Sequence, residues 1–405
     1  MQSKKLNNRP FDIILIGATG FTGRRAAKYF VDHAPKDLTI GIAGRNLDKL
    51  TALANELGFT ESQVFKVDNL NKSEVDHVVS KTRVIVTTAG PYSLYGENVI
   101  ASCAEQGTHY LDITGEVGFI KQMSDKYDVL AKKNKCKLIP FSGFDSVPAE
   151  VCTFLLCKKF SPDDEVYIKA YYSISGGFNG GTIATMMNKF ETGEYKLMTD
   201  PRLAMEGTSQ DLTDAEDRNF FGFDKDISRW SAPFIMSGIN SKVIYRTASL
   251  MRNFGTPYFK KIAYSEHSSL GKRFNPIPFL AVSLMLISIS VFGKFKWFRK
   301  LVLSITPPPG EGPSEASIEN GYMKLLAIAK SKSGKRFRMK FSYPGDPSNK
   351  ATVFFLCESA FTLAQQLERL PEPDERFGFL TPMTAFGDEL VNRLIDNGYI
   401  VNEVF

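Results

Sequence analysis

The sequence predicts an α/β fold: a doubly wound parallel sheet, followed by a second α+β domain with a mixed or antiparallel sheet. Two observations support this prediction. Over about the first 148 residues, six short apolar and β-branched runs alternate with helical patterns, as expected for parallel strands that are buried on both faces. Beyond that point the pattern changes to longer alternating strands that include a hairpin signal.

The elements of the first part follow in chain order. A helix is predicted over Phe21–Val31, directly after the first strand. A second helix begins at the cap residue Asn46 and ends at Gly58, and a third opens at Ser73, with Asp76 completing a capping box. The six predicted strands are Phe11–Ile16, Leu38–Ala43, Val64–Val67, Val84–Thr88, Tyr110–Ile113 and Lys137–Phe141.

The rest of the chain is predicted to form two further parts. Glu165–Ser173 alternates as a strand, and the runs 322–330 and 335–343 form a hairpin through Lys332-Ser333-Gly334. Thr381-Pro382 begins a helix that Gly398 ends. The predicted boundaries are 1–148 for the first domain, 149–350 for a second, substrate-binding domain, and 351–405 for a C-terminal helical segment that could pack back on the first domain.

Composition and charge exclude several classes of protein. The 405 residues are 43% hydrophobic and 23% charged, which is typical of globular domains and not of disordered chains. The net charge of +6, with one short basic cluster at Lys294–Lys300, argues against a nucleic-acid partner. Five cysteines without a C-x-x-C motif, and four histidines without ligand spacing, predict a cytoplasmic protein with no metal site. The N-terminus lacks the apolar stretch of a secretory signal.

A glycine-rich loop separates the first strand from the first helix. The loop reads Gly-Ala-Thr-Gly-Phe-Thr-Gly over residues 17–23, in the strand–loop–helix context that binds a dinucleotide pyrophosphate at a helix N-terminus. This context predicts a Rossmann-type NAD(P)-binding domain. The alternative is that the loop is a simple turn between strand and helix. The candidate cofactor-binding residues in this loop are Gly17, Thr19, Gly20, Phe21, Thr22 and Gly23.

The end of the second strand indicates which dinucleotide binds. NAD-binding proteins place an acidic residue there, whereas this sequence has Gly44-Arg45-Asn46. A guanidinium can pair with a 2′-phosphate and stack on adenine, so Arg45, with help from Lys49, predicts NADP(H); a solvated surface arginine is the alternative. Asp68, after the third strand, either meets the adenine edge or caps a turn.

Two later loops reach the same edge of the predicted sheet. Ala89, Gly90 and Pro91 follow the fourth strand, where small residues would let the nicotinamide ribose lie against the backbone. Tyr92 comes next, as a pocket aromatic or a proton donor. Asp145 and Ser146 follow the sixth strand; one of them caps the next helix, or one of them hydrogen-bonds the substrate or relays a proton.

Three segments leave a structural and a functional interpretation open. The glycine-rich stretch 176–181 is a mobile lid or a long turn, and the proline-rich loop Pro307–Pro313 closes the pocket or acts as a linker. Residues 277–293 are almost wholly apolar but too short to cross a bilayer, and a basic cluster around Trp297 follows them. We expect segment 277–300 to contact a membrane or lipid surface peripherally; a buried helix is the alternative.

Several motifs together resemble the saccharopine dehydrogenase-like oxidoreductase family, which includes trans-acting enoyl reductases. The resemblance spans nearly the whole chain and implies an N-terminal NAD(P)-binding domain with a second domain over it. It does not imply lysine metabolism, because the middle domain lacks the dense Arg/Lys constellation that a substrate with several carboxylates needs. The motifs are 17–23, 43–45, 89–92, 110–116, 143–148, 308–314, 343–347 and the C-terminal helix from Thr381.

Together these observations predict an NADP(H)-dependent reductase of a carbonyl or enoyl group on an apolar, lipid-like small molecule. A non-catalytic NADP(H)-sensing protein at a membrane surface is one alternative, and a saccharopine or other amino-acid dehydrogenase is another. Among assemblies, a homodimer is compatible with the sequence. The candidate catalytic residues are Tyr92, Asp145 and Ser146.

Overall fold

Two sheets organise the protein, for which the computed structural model describes residues 9–193, 205, 222–272, 276–372 and 374–404. The first sheet is built almost entirely from the N-terminal part of the chain. Its strands are β1 Phe11–Ile16, β2 Ile40–Gly44, β3 Val64–Lys66, β4 Thr82–Thr87, β5 His109–Asp112 and β6 Lys137–Ile139. The helices between and after them are α1 Phe21–His33, α2 Leu47–Leu57, α3 Lys72–Val79, α4 Tyr92–Tyr95, α5 Glu97–Gln106, α6 Val117–Lys133 and α7 Val147–Cys157.

The first sheet has the predicted doubly wound topology. All its strands are parallel, in the order β3-β2-β1-β4-β5-β6, which is the arrangement of dinucleotide-binding sheets. The chain reverses direction across the sheet between β1 and β4, so a crevice opens there. The sixth strand is shorter than predicted, because Phe141 has a positive φ of 64° and cannot continue it.

Helix boundaries in this part agree with the sequence in one case and differ in another. Asn46 caps α2 by accepting the amide of Lys49, and Gly58 ends the helix in the left-handed conformation, as predicted. The predicted start at Ser73 is wrong. The side chain of Asn71 accepts the Glu74 amide, so α3 begins one residue before Ser73. Either polar residue could cap a helix, and only the backbone path selects Asn71.

The second sheet comes mainly from the middle of the chain. Its strands are β7 Glu165–Ser175, β8 Gly222–Asp224, β9 Arg229–Pro233, β10 Lys261–Gly271, β11 Tyr322–Ser331 and β12 Arg336–Pro344. The helices of this region are α8 Gly180–Glu191, α9 Ser237–Asn253, α10 Pro276–Phe292, α11 Lys296–Ile305 and α12 Glu315–Glu319. The predicted hairpin is present as β11 and β12, and β7 and β10 are the parallel pair in this otherwise antiparallel sheet.

The C-terminal part, with α13 Thr352–Gln365, β13 Gly378–Phe379, α14 Pro382–Phe386, α15 Asp388–Asp396 and β14 Ile400–Glu403, joins both sheets. Strand β13 extends the first sheet beside β6, and β14 extends the second beside β12. Neither strand was predicted. The single helix expected between Thr381 and Gly398 is broken at Gly387, whose φ of 53° interrupts it. Helix α13 packs on α1 and on β1, β4 and β5, so one hydrophobic core runs from the first sheet into this segment.

Helices α10 and α11 form an exposed apolar surface. Side chains such as Ile277, Leu284 and Trp297 are more than half exposed. The alternative of a buried core helix is therefore wrong for the side chains that the structure describes. None of the helices within the described ranges has both the length and the hydropathy that crossing a membrane requires.

Candidate active site

A cavity of about 890 Å³ lies at the carboxyl ends of β1, β2, β4 and β5, at the crevice where the strand order reverses. This is the ligand-binding position of open parallel sheets. One half is walled by the loops of the first sheet. The other half is walled by the second part of the chain: residues of α8, the start of α9, the end of α10 and the loop residues Pro309 and Gly310.

The glycine loop forms the floor of the first half. Gly17 has a φ of 85°, which favours glycine, and Gly20 is the N-cap of α1 without a side-chain cap. A Cβ on Gly20 would meet only the Gly17 carbonyl, at 3.3 Å, so its outer side faces open space. Gly23 differs, because a Cβ there would lie 2.0 Å from that carbonyl oxygen. Of the predicted loop residues, Gly17, Thr19, Gly20, Phe21 and Thr22 line the cavity, whereas Gly23 lets the first turn of α1 pack on the loop.

Cationic side chains stand at the rim beyond β2. Arg45 and Lys49 line the cavity and are exposed, and the Arg45 guanidinium lies 5.5 Å from the centre of the Tyr95 ring. Asp68 lines the cavity, and its Oδ1 also accepts the amide of Leu70. It therefore caps a turn, which is one of the two roles expected from the sequence.

The loop after β4 passes close to the glycine loop. Ala89 and Gly90 line the cavity, whereas Pro91 does not and instead precedes α4 as its N-cap. The first amides of α4 are capped from a distance by Glu116, whose carboxylate accepts Tyr92 N at 2.7 Å and Ser93 N at 3.0 Å. Glu116 directly precedes α6 in the sequence, and the adjacency of β4 and β5 brings it to α4.

The three predicted catalytic residues have different environments. Tyr92 lines the cavity, but its hydroxyl donates to the Thr87 carbonyl at 3.0 Å and its pKa is raised well above the ordinary value by burial, which favours a packing role. Ser146 is fully buried, does not line the cavity and donates to Asn240 Oδ1. Asp145 lines the cavity, and burial raises its pKa to about 6.

A buried polar cluster lies behind Ser146. Glu266 accepts hydrogen bonds from Tyr264 at 2.7 Å, from Asn240 at 3.0 Å and from Tyr172 at 3.3 Å. Burial raises the pKa of Glu266 to about 8, and the nearby carboxylate of Asp145 adds to this effect. A carboxyl with such a pKa carries a proton over much of the neutral range. Glu266 lies in the middle of β10, and the neighbouring sequence gave no indication that this residue belongs to a buried polar cluster.

Helix α8 was missed at the sequence level, although it supplies much of one wall. Within the stretch 176–181, Gly180 and Gly181 begin α8, and Asn179 caps this helix by accepting the Thr182 amide. The cavity residues from α8 include Thr182, Ile183, Thr185, Met186, Lys189 and Phe190. Glycines at the start of the segment concealed the helix, since a glycine run ordinarily indicates a turn.

The motif at residues 343–347 holds α8 in place. Asp346 is fully buried, and its carboxylate accepts the amides of Gly177 at 2.5 Å and Asn349 at 2.8 Å. Asn349 in turn donates to the Gly177 carbonyl, and Asn179 donates to Asn349. This network ties the start of α8 to the second sheet. The proline-rich loop also packs here, since a Cβ on Gly180 would lie 2.1 Å from the Pro308 carbonyl oxygen.

Comparisons with known proteins agree with this geometry. Residues 13–137 match the family model of the saccharopine dehydrogenase NADP binding domain. A Mycobacterium tuberculosis protein assigned by name as a trans-acting enoyl reductase is 31% identical over 95% of this chain and 96% of its own length. A Mycobacterium bovis trans-acting enoyl reductase is 29% identical over 97% of each chain.

The chain belongs to the saccharopine dehydrogenase-like oxidoreductase family. The fold agrees with apo saccharopine dehydrogenase (L-Glu forming) from Saccharomyces cerevisiae, at a TM-score of 0.53 and 12% identity over 98% of this chain and 100% of that one. The protein is therefore an NADP(H)-dependent oxidoreductase, as the sequence predicted. Its own residues fit that cofactor: Gly20 leaves space for a pyrophosphate at an uncapped helix N-terminus, and Arg45 supplies a cation beyond β2.

Proposed function

We propose that this oxidoreductase reduces an enoyl or carbonyl group on an apolar, lipid-like substrate. The observation that carries the proposal is that one half of the cavity suits a nucleotide and the other half is apolar. The first half contains the glycine loop and Arg45, which fit NADP(H). The second half is walled by apolar side chains, which are Met186, Phe190, Ile235, Met236, Ile239 and Ile289. An acyl chain is the kind of ligand that such a surface removes from water favourably.

Some polar groups of the site would bind the cofactor, and others would contact the substrate. The first-turn amides of α1 would hold the pyrophosphate, and Arg45 with Lys49 would hold the 2′-phosphate. When bound, NADPH supplies a hydride. Ala89 and Gly90, after β4, and Asp145, after β6, line the same cavity, so the reacting carbon would lie near the carboxyl ends of β4 and β5.

The relatives favour an enoyl group over a carbonyl group, because both relatives described above carry the name trans-acting enoyl reductase. An amino-acid dehydrogenase activity is less well supported. Within the described residues, Lys189 is the one cationic side chain that lines the apolar half, and a substrate with several carboxylates needs more than one partner.

An enoyl thioester series of increasing chain length tests the proposal. With N-acetylcysteamine thioesters and NADPH, kcat/KM should rise with each added CH₂ group until the apolar half is filled, by up to about fourfold per group, since burying a CH₂ is worth about 0.8 kcal/mol. Parallel assays with aliphatic aldehydes distinguish a carbonyl substrate. Absence of NADPH oxidation with both series would refute the proposed reaction.

We further propose that α10 and α11 attach the protein to an anionic lipid surface without crossing it. Apolar side chains of α10 such as Ile277, Leu284 and Ile287 are exposed, as is Trp297 at the start of α11. Residues 276–305 contain no acidic residue, and the cluster Lys294, Lys296 and Lys300 is exposed beside them. Such a combination suits an interfacial helix pair, with each lysine contributing about 1 kcal/mol near a charged membrane.

Liposome flotation tests this attachment. The wild type should float with vesicles that contain phosphatidylserine, float less with neutral vesicles, and bind more weakly at high salt. Replacing Leu280, Leu284 and Ile287 by Ser should abolish flotation without lowering Tm, because all three side chains are exposed. Leu70→Ser with Val129→Ser, at exposed apolar positions elsewhere, is the matched control. A wild type that stays at the bottom of the gradient would refute the attachment.

A further inference from the structure

A lysine and a carboxylate lie close to the same glycine at the point where the two halves of the cavity join. Lys189, in the last part of α8, is half-buried and lines the cavity, and its Nζ donates to the carbonyl oxygen of Gly115 at 2.6 Å. Gly115 follows β5 and also lines the cavity. The hydrogen bond therefore brings a side chain of the second part of the chain to the ligand edge of the first sheet.

Asp145 lies on the other side of the same glycine. A Cβ on Gly115 would be 3.6 Å from Lys189 Nζ and 3.7 Å from Asp145 Oδ2, so the ammonium and the carboxylate flank one small residue. Gly115, Lys189 and Asp145 all line the cavity. A larger residue at position 115 would stand between the two charged groups.

The charged and titratable groups around Asp145 come from three packed elements. Burial raises the pKa of Asp145, and the Lys189 charge on α8 opposes that rise. Glu266 on β10 interacts with the Asp145 carboxylate, and Tyr92 on α4 is close enough for the two to influence one another. Of these groups, only Lys189 is a cation, so Asp145 and Lys189 stabilise each other in their charged forms.

Three neighbouring hydroxyl groups already make hydrogen bonds within the protein. The Tyr92 hydroxyl donates to a backbone carbonyl, and Ser146 is buried away from the cavity against Asn240. The Thr182 hydroxyl donates to Asn179 at the helix cap. Lys189 brings an ammonium, a group that can give up a proton, to the wall of the cavity.

We infer that Lys189 is the proton donor of the reaction and that Asp145 is its positioning residue. This inference rests on the proposed function. In enoyl reduction a hydride adds to the β-carbon, the C=C π pair moves to the α-carbon and carbonyl as an enolate, and the α-carbon then takes a proton from the Lys189 ammonium. The resulting neutral amine regains a proton from solvent, with the adjacent carboxylate stabilising the restored cation.

The test compares Lys189→Met, Lys189→Arg and Asp145→Asn with the wild type, using NADPH and a medium-chain trans-enoyl N-acetylcysteamine thioester. Lys189→Met should lose about 10²–10⁴-fold in kcat, while its Kd for NADPH changes less than about threefold. Lys189→Arg keeps the charge but holds its proton more tightly and should recover only part of the loss. Glu191→Gln, at an exposed position on the same helix, is the matched control and should retain full activity.

Two readouts separate proton donation from a structural role. Small primary amines added to the Lys189→Met enzyme should restore turnover in proportion to their concentration. The wild-type rate should fall below about pH 6, where Asp145 becomes protonated, and Asp145→Asn should lack this pH dependence. Full activity of a folded Lys189→Met, or no rescue by amines, would overturn the assignment of Lys189 and leave the proposed function standing. A wild type inactive with enoyl and aldehyde substrates would overturn the proposed function and this inference together.

Discussion

The preference for NADPH over NADH can be tested most directly at Arg45. In the structure this side chain is exposed at the cavity rim, and its guanidinium lies over the Tyr95 ring at 5.5 Å. A charge-assisted contact is worth about 1.5–3 kcal/mol, and exposure to solvent places this one at the lower end. Arg45→Ala should therefore weaken NADPH binding by about 1.5 kcal/mol, roughly tenfold in Kd.

Isothermal titration calorimetry with both nucleotides measures this effect. NADH has no 2′-phosphate, so its Kd should change less than about threefold in Arg45→Ala, and the preference for NADPH should largely disappear. Arg24→Ala is the matched control, because Arg24 is an exposed arginine on α1 that pairs with Glu56 and does not line the cavity. The wild-type preference should also shrink at high salt.

Two results would contradict this reasoning. If the wild type binds NADH as tightly as NADPH, Arg45 does not bind the 2′-phosphate. If Arg45→Ala weakens both nucleotides equally, the guanidinium acts on the adenine ring that they share. In that case the pairing with Tyr95 would serve to stack the base.

Three further predictions concern the loop, a buried acid and the α8 support. Gly20→Val should weaken NADPH binding at least tenfold with little change in Tm. Gly23→Ala should instead lower Tm, because the Cβ of the new alanine would clash with the loop backbone. Equal losses of Tm in the two variants would contradict this difference. The raised pKa of Glu266 means that the folded state holds this proton more tightly than the unfolded chain does, so the free energy of unfolding should fall as the pH rises from about 4.5 to about 8. In urea titrations Glu266→Gln should lack this decline. The same pH dependence in wild type and variant would refute the prediction. Asp346→Ala leaves two amides unsatisfied and should lower the free energy of unfolding by about 2–4 kcal/mol, with the exposed Asp163→Ala as an unaffected control.

Local sequence determined the nucleotide half of the site. The glycine loop, the residue at the end of β2 and the small residues after β4 each follow a buried strand directly. Parallel strands end at one edge of a sheet, so their following residues converge there without further information. The first sheet and the hairpin of the second sheet were predictable for a related reason: burial imposes a periodicity that a short window of sequence displays.

The substrate half depended on contacts between distant residues. Lys189 meets Gly115 across 74 positions, and Asp346 holds Gly177 across 169. No short window of sequence contains both partners of such a pair. The same limit explains why the β13 strand beside β6 was missed, since two residues carry no periodicity of their own.

Tertiary structure also decided which of several chemically competent residues faces the cavity. Asp145 and Ser146 are neighbours in sequence, yet one lines the cavity and the other is buried against Asn240. The sequence by itself determined the fold class, the nucleotide loop and the cation at Arg45, because these follow from short-range periodicity and strand ends. The packing of the second part of the chain on the first decided the apolar wall and the position of Lys189, because side-chain direction at a site between two sheets is set by how those sheets pack.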